Sequence, residues 1–139
     1  HRSYVSKAFE YRYTIFAPGS LYIKEADARM RFSLKMGMQP PDFSNTGQSV
    51  AFFDMNSVGF PLIIRNLRPG DRFKPLGMQG TQKVKDFFIN NKLNRASRNR
   101  CPLVLWDDKI IWVAGYRIAE DAKITDSTRN VLRVELLLA

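Results

Sequence analysis

The 139-residue chain has 45% hydrophobic and 25% charged residues, a balance typical of a folded domain, and this excludes disorder as its main state. The single cysteine excludes an internal disulfide and favours a reducing, cytoplasmic setting. No apolar run approaches the roughly 18 residues that a membrane span needs, and the formal net charge of +9 points instead to a polyanionic partner.

The beginning of the chain predicts antiparallel strands. The sequence starts at His1 with no initiator methionine and no charged-then-apolar leader, so we expect either a fragment of a longer protein or a vector remnant at His1. Alternation over residues 11–15 predicts a strand, and Pro18-Gly19 predicts a turn. A second, longer strand over residues 29–36 places four apolar side chains on one face. These are Met30, Phe32, Leu34 and Met36.

A loop rich in Gly, Pro, Asn and Ser follows over residues 37–49. Two short apolar strands are then predicted, over 50–53 and 60–65. The loop is long enough to be either an excursion or a boundary. We therefore predict a β-rich linking subdomain over residues 1–59 and a second domain over 60–139, the two forming one compact unit.

Most of the excess charge lies in residues 65–100, which carry 10 basic and 2 acidic side chains. Such clustering favours a nucleic-acid surface, because each neutralised phosphate releases a condensed counterion. The alternative is a solvated basic face that keeps the protein soluble, but solubility alone does not require clustering.

Within this segment, Pro69-Gly70 predicts a tight turn in which Asp71 caps the backbone and pairs with an arginine. Such a turn can hold Arg68 and Arg72 outward toward phosphate oxygens. The loop over residues 75–81 carries two glycines whose N–H groups could approach an anion, although a plain connection is the more common reading of such a pattern.

Two helices are predicted next. Thr81 is expected to cap the first helix, in which Val84, Phe87 and Phe88 recur at helical spacing and form a core-facing stripe rather than a base-stacking platform. Asn94 is expected to cap a second helix that runs through Arg100 and ends at Pro102.

The remaining residues predict a hairpin and a closing strand. Apolar strands over 103–106 and 110–114 flank the turn at Asp107-Asp108, and residues 131–138 form the last strand. We expect Trp106 and Trp112 to lie in the core. The predicted fold class is α+β, with mostly antiparallel sheets and one or two short helices packed on them.

No catalytic set emerges from the sequence. There is no GxxxxGK(S/T) loop, no CxxC pair and no HExxH, and His1 is the only histidine. Asp107-Asp108 is interpreted as turn chemistry, and Cys101 as a buried, inert thiol. We therefore expect no catalytic residue, no metal and no cofactor within this chain.

The predicted binding residues are the cations of the basic segment. Arg95 and Arg98 lie three residues apart on the second helix and should project from one face. Such like charges repel each other unless a polyanion neutralises them. The predicted nucleic-acid-binding residues are Arg68, Arg72, Lys74, Lys83, Lys85, Lys92, Arg95, Arg98 and Arg100.

The order of these motifs resembles the C-terminal domain of the tRNA(Ile)-lysidine synthetase family. The match runs through the PGDR turn at 69–72, the LGMQG segment at 76–80, the lysine-bearing helix with Phe87-Phe88, the stretch at 98–103 and Trp112 to Gly115. Many members of that family have proline where this chain has Asn94. The resemblance implies that residues 60–139 are the family's C-terminal α+β domain.

The resemblance also implies a function for the longer enzyme. A separate PP-loop domain would use ATP and Mg²⁺ to adenylate the wobble cytidine of an isoleucine tRNA with a CAU anticodon, and free lysine would then form lysidine. The C-terminal domain would hold the tRNA on its acceptor-stem side and would be inactive alone. The alternative from the residues is a structural or dimerisation module, with a homodimer formed through the C-terminal region and no direct RNA contact.

Overall fold

The computed structural model describes residues 9–36 and 49–138. In chain order the strands are β1 (Arg12–Ile15), β2 (Gly19–Ile23), β3 (Ala28–Met36), β4 (Val50–Asp54), β5 (Leu62–Arg65), β6 (Arg72–Phe73), β7 (Gln82–Lys83), β8 (Leu103–Trp106), β9 (Lys109–Val113), β10 (Arg117–Ile118) and β11 (Asn130–Leu138). The helices α1 (Val84–Asn90) and α2 (Arg95–Arg100) lie between β7 and β8. Short 3-10 turns occupy Lys24–Ala26 and Glu120–Ala122.

The strands form two antiparallel sheets and a small ribbon. The five-stranded sheet has the order β1-β5-β8-β9-β10, the four-stranded sheet has the order β2-β3-β11-β4, and β6 pairs only with β7. The α+β class with mostly antiparallel sheets and two short helices is therefore confirmed.

The five-stranded sheet is covered on both faces. On one face, Val104 joins a cluster of side chains from the four-stranded sheet, which includes Met30, Phe32 and Phe53. On the other face, Leu103 joins a second cluster that contains the apolar side of α1. Because successive side chains of β8 point to opposite faces, this sheet forms the middle layer, and α1 lies on the side away from the four-stranded sheet.

All the strands predicted from the sequence are present, although their ends are shifted by a few residues. Of the four apolar side chains on the predicted face, Met30 and Phe32 are buried and Leu34 is partly buried, whereas Met36 is 60% exposed. Met36 lies at the end of β3 and pairs only with Asn130 at the end of β11, and no further strand covers it among the described residues. The turn predicted at Pro18-Gly19 leads directly into β2, a strand that we did not predict.

The division predicted between residues 59 and 60 stays a prediction. Across that position, β1 pairs with β5, and β11 pairs with both β3 and β4. The loop predicted over residues 37–49 lies outside the described residues apart from Ser49, and so does His1. Among residues 9–36 and 49–138, no helix has the length and apolar character that a bilayer crossing requires.

Candidate nucleic-acid interface

The turn after β5 has the backbone form that its sequence predicts. The N–H of Asp71 donates to the carbonyl of Arg68 at 3.2 Å, and Gly70 between them has φ +85°. Proline at the second position and a left-handed glycine at the third are the signature of a type II turn. The turn fixes the path of the backbone at Arg68 and directs the chain into β6.

A buried ion pair fixes this turn to the sheet. The guanidinium of Arg65 donates two hydrogen bonds to the carboxylate of Asp71, at 2.8 and 3.0 Å, and both side chains are nearly 90% buried. Asp71 also accepts a bond from the backbone N–H of Arg68 at 2.8 Å. The predicted pairing of Asp71 with an arginine is therefore confirmed, and the partner is Arg65.

The ribbon of β6 and β7 carries the next two cations. Arg72 pairs with Lys83 across the ribbon, and its Nε donates to the hydroxyl of Thr81 at 3.1 Å. Thr81 therefore does not cap α1, and that prediction was wrong. The residue before α1 is Lys83, and the N–H of Val84 donates to the carbonyl of Asp71 at 2.9 Å. A backbone group of the turn thus takes the place of a side-chain cap.

The basic helix α2 begins as predicted. The side-chain oxygen of Asn94 accepts from the N–H of Ser97 at 2.8 Å, which is the geometry of an N-cap. Arg95 and Arg98 are one turn apart on this helix and line the same groove. The prediction that they share a face is confirmed.

Two buried side chains attach the end of α2 to the sheet. Asn66 is fully buried; its amide donates to the carbonyl of Asn99 at 3.0 Å and its oxygen accepts from the N–H of Tyr11 at 3.1 Å. The hydroxyl of Tyr11 donates to the carbonyl of Arg100 at 2.6 Å. Burial raises the pKa of Tyr11, so this hydroxyl stays protonated and remains a donor.

These elements surround one groove of about 290 Å³. Its walls come from the turn after β5, from β7 and the start of α1, and from α2. Five of the nine predicted binding residues line it, together with the carboxylates of Glu10 and Asp71. The five are Arg68, Lys83, Lys85, Arg95 and Arg98.

Two of these arginines have an unused donor. The Nε atoms of Arg68 and Arg98 are buried and have no hydrogen-bond partner among the described residues. A buried polar group without a partner costs free energy in the isolated chain.

The other four predicted residues lie outside the groove. Arg72 is engaged with Thr81, and the ammonium of Lys74 lies 3.5 Å from the carboxylate of Asp121. Lys92 follows α1 with a left-handed backbone, φ +62°, and is exposed. Arg100 is exposed at the end of α2. The predicted cations therefore divide into five that line the groove and four that lie outside it.

The glycine-containing loop does not offer a free anion site at its first glycine. The N–H of Gly77 donates to the carboxylate of Glu120 at 2.9 Å. This bond and the neighbouring ammonium of Lys123 lower the pKa of Glu120. At Gly77, the loop is therefore a connection between elements and not an anion-binding site.

Several single residues have the surroundings that the sequence predicts. Phe87, Phe88 and Trp112 are buried and Trp106 is partly buried in the core, as predicted. Asp107 and Asp108 both have positive φ, as a two-residue type I′ hairpin turn requires. Cys101 is buried, and burial raises the pKa of its thiol to about 12, which keeps it protonated and unreactive near neutral pH.

Within residues 9–36 and 49–138, no cluster of side chains suited to a metal is present.

Sequence reasoning missed the residues that position the cations. Tyr11 and Asn66 were assigned no role in the site, and Glu10 and Leu67 were not expected to line it. A polar residue such as Asn66 beside an apolar strand was the one available signal, because a buried amide requires several hydrogen bonds.

Known proteins share both the sequence and the fold. The family model described as the TilS substrate C-terminal domain matches residues 62–136. The chain is 47% identical over 89 residues to the tRNA(Ile)-lysidine synthase of Dehalococcoides mccartyi, an alignment that covers 64% of this chain and 19% of that protein. It is 42% identical over 97 residues to the tRNA(Ile)-lysidine synthase of Caldanaerobacter subterraneus subsp. tengcongensis, covering 70% of this chain and 21% of that protein. The chain thus spans about a fifth of the length of the curated relatives it matches.

Two solved structures are also similar. A crystal structure of a TilS C-terminal domain superposes with a TM-score of 0.80 at 25% identity and covers 93% of this chain and 97% of that one. An N-terminal fragment of the phenylalanyl-tRNA synthetase β-subunit from Pyrococcus horikoshii has a TM-score of 0.62 at 12% identity, covering 79% of this chain and 39% of that one. The second likeness concerns the fold alone.

Proposed function

Because the chain belongs to the TilS substrate C-terminal domain family, we propose that it is the tRNA-docking part of a tRNA(Ile)-lysidine synthase. The observation that carries the proposal is the convergence of five cationic side chains from three separate segments on one groove. Cations that are far apart in sequence but converge in the fold form a concentrated positive potential, which attracts a polyanion.

In this proposal the chain binds the tRNA, and another part of the enzyme catalyses the formation of lysidine. The relatives carry the name tRNA(Ile)-lysidine synthase. Their chemistry would reside in a PP-loop domain that uses ATP and Mg²⁺ to activate the wobble cytidine of a CAU-anticodon tRNA and then adds lysine. The present chain would hold the tRNA on its acceptor-stem side, in the cytoplasm, so that the anticodon reaches that active site.

The mode of binding follows from the residues of the groove. Arginine and lysine side chains contact phosphate and ribose, which gives affinity and position but little sequence readout. An A-form stem exposes its phosphates and 2′-hydroxyls but has a major groove that side chains cannot readily enter. The groove residues would therefore read the shape of the stem. Arg72, Lys92 and Arg100 would extend the contact around it.

The test is RNA binding by the 139-residue chain across a salt series. We expect an isoleucine-tRNA acceptor-stem minihelix to bind with a log–log salt slope of roughly −3 to −4, if about four phosphates are neutralised. The double variant Arg95→Ala/Arg98→Ala should weaken binding and flatten the slope. The matched variant Lys109→Ala/Arg129→Ala removes two exposed cations that do not line the groove, and it should bind nearly as the parent does.

Sedimentation at the same concentrations tests the alternative of a dimerisation module. A monomer that binds RNA supports docking. A tight dimer that binds neither the minihelix nor an unrelated duplex at low salt contradicts it and favours assembly.

A further inference from the structure

The groove concentrates more positive charge than one backbone phosphate needs. Five cationic side chains border a space of about 290 Å³, against two carboxylates. Both oxygens of one of these, Asp71, are already occupied by Arg65 and the Arg68 N–H. The groove therefore keeps an uncompensated positive charge in a small volume.

A terminal phosphate matches this charge better than an internal one does. An internal phosphodiester carries a single negative charge. A phosphate monoester carries a charge of about −1.5 to −2 at neutral pH and presents three strong acceptor oxygens. Cations that converge on one small space therefore favour a phosphate monoester. Cations spread along a surface favour the continuous phosphodiester backbone of a nucleic acid.

Two of the groove arginines approach from different walls, Arg68 from the turn after β5 and Arg98 from α2. The Nε atoms of Arg68 and Arg98 are buried without an acceptor in the part of the chain that the structure describes, and both side chains line the groove. Three acceptor oxygens on one phosphorus atom can meet donors that approach from different walls. Charge-assisted bonds of this type are stronger than bonds between neutral groups.

The rest of the lining suits a nucleotide. Leu67, Pro69 and Gly70 form an apolar side of the groove, next to the cations. An apolar wall can pack against the sugar that follows a terminal phosphate, whereas a bare phosphate ion makes no use of it. We propose that the groove is a receptor for the terminal phosphate monoester of an RNA strand, such as the 5′ end of a tRNA acceptor stem. This inference rests on the proposed docking function.

The experiment compares three ligands for the 139-residue chain at one salt concentration. Two are minihelices of identical sequence, one with a 5′-phosphate and one with a 5′-hydroxyl, and the third is a free 5′-mononucleotide. We expect the phosphorylated minihelix to bind about tenfold tighter than the hydroxyl form, which corresponds to about 1.4 kcal/mol. The variant Arg98→Gln should remove most of this difference, and Arg129→Gln should retain it.

An NMR titration of the arginine Nε–H signals provides a second readout. At equal saturation, the signals of Arg68 and Arg98 should shift further with the phosphorylated minihelix than with the hydroxyl form.

The outcomes separate the two proposals. Equal, salt-sensitive binding of both minihelices overturns the terminal-phosphate receptor but leaves docking intact. Absence of binding to either minihelix overturns both. A free mononucleotide that binds as tightly as the phosphorylated minihelix also overturns the RNA-end receptor, because the groove would then be a small-nucleotide site.

Discussion

Asp71 accepts three hydrogen bonds with its two carboxylate oxygens. Two come from the guanidinium of Arg65 and one from the backbone of Arg68. This single side chain thus joins the end of β5 to the turn that carries a groove arginine. A buried pair of this kind adds little stability relative to an apolar pair, but it is costly to break from one side.

We predict that Asp71→Ala lowers the free energy of unfolding by about 2–4 kcal/mol, because it leaves the Arg65 guanidinium buried without a counter-ion. Urea denaturation measures the change. Asp126→Ala is the control, since Asp126 is exposed in a loop and should change stability little. A loss below about 1 kcal/mol would show that the surroundings of Arg65 compensate for the missing carboxylate.

Cys101 provides a prediction about pH. Burial raises the pKa of its thiol from 9.0 to about 12. The unfolded chain therefore loses this proton at a lower pH than the folded chain does. The stabilising contribution is intact below the unfolded pKa and is lost as the pH rises through the folded one.

From about pH 9 to about pH 11, the free energy of unfolding should fall in the parent chain and fall less steeply in Cys101→Ala. Denaturant titrations at fixed pH values measure both slopes. The hydrogen bond to Glu25 also raises the pKa of Tyr13, to about 12, but this group is common to both chains and does not affect the comparison. If the free energy of unfolding fell equally steeply with pH in both chains, the raised pKa of Cys101 would be contradicted.

At the scale of the element, α2 is a helix of six residues held at both ends. Asn94 caps its beginning, and its last carbonyls are held by Asn66 and Tyr11. Isolated helices this short are unstable in water. The position of Arg95 and Arg98 therefore depends on these anchors rather than on helix propensity.

We predict that Asn94→Ala lowers the free energy of unfolding by about 1 kcal/mol, because it removes the acceptor of the Ser97 N–H. RNA affinity should fall as well, although Asn94 does not line the groove. Thermal unfolding and the minihelix assay measure the two effects. Asn94→Ser keeps a capping oxygen and should restore both, and a failure to restore them would contradict the capping role.

The same helices show what local sequence can predict. Asn94 caps α2 as expected, because capping needs only a side-chain oxygen placed before the helix. The prediction of Thr81 as the cap of α1 was wrong because Arg72, across the ribbon, uses its hydroxyl, and because Asp71 supplies a backbone acceptor instead. Pairings between segments decided that helix boundary.

The groove also depends on contacts between segments that the local sequence does not reveal. Clustering of charge in residues 65–100 was visible in the sequence, and five of the nine predicted cations line one space. Their convergence was not visible, because it depends on the turn at Gly70, the ribbon and the anchoring of α2. The contacts of Lys74 with the carboxylate of Asp121 and of Arg72 with the hydroxyl of Thr81 were likewise not visible in the sequence.

At the scale of the whole molecule, the sheets join residues from both ends of the described chain. The range matched by the family model, 62–136, lacks β1 to β4. Yet β11 lies between β3 and β4, and the shared core includes Ile23, Met30 and Phe53. The alternating pattern of β3 was evident from the sequence, but its partner strand was not.

We predict that a chain restricted to residues 60–139 does not unfold cooperatively, because β11 loses both neighbours and one face of the five-stranded sheet is uncovered. Far-UV circular dichroism during urea titration and the dispersion of amide NMR signals test this. The 139-residue chain is the control. A dispersed spectrum from the short chain would support two independent domains divided at residue 60.

The position of β11 also has a consequence for the speed of folding. Its pairs with β3 join residues about a hundred positions apart in sequence, and these pairs extend from Ala28–Leu138 to Met36–Asn130. Loop-closure entropy opposes each such contact before the contact contributes any stability. We therefore expect the four-stranded sheet to form late, after the hairpin of β8 and β9, whose partners are close in sequence. Until it forms, the inner face of the five-stranded sheet remains open to water and to aggregation, so we expect folding to be slow and sensitive to protein concentration.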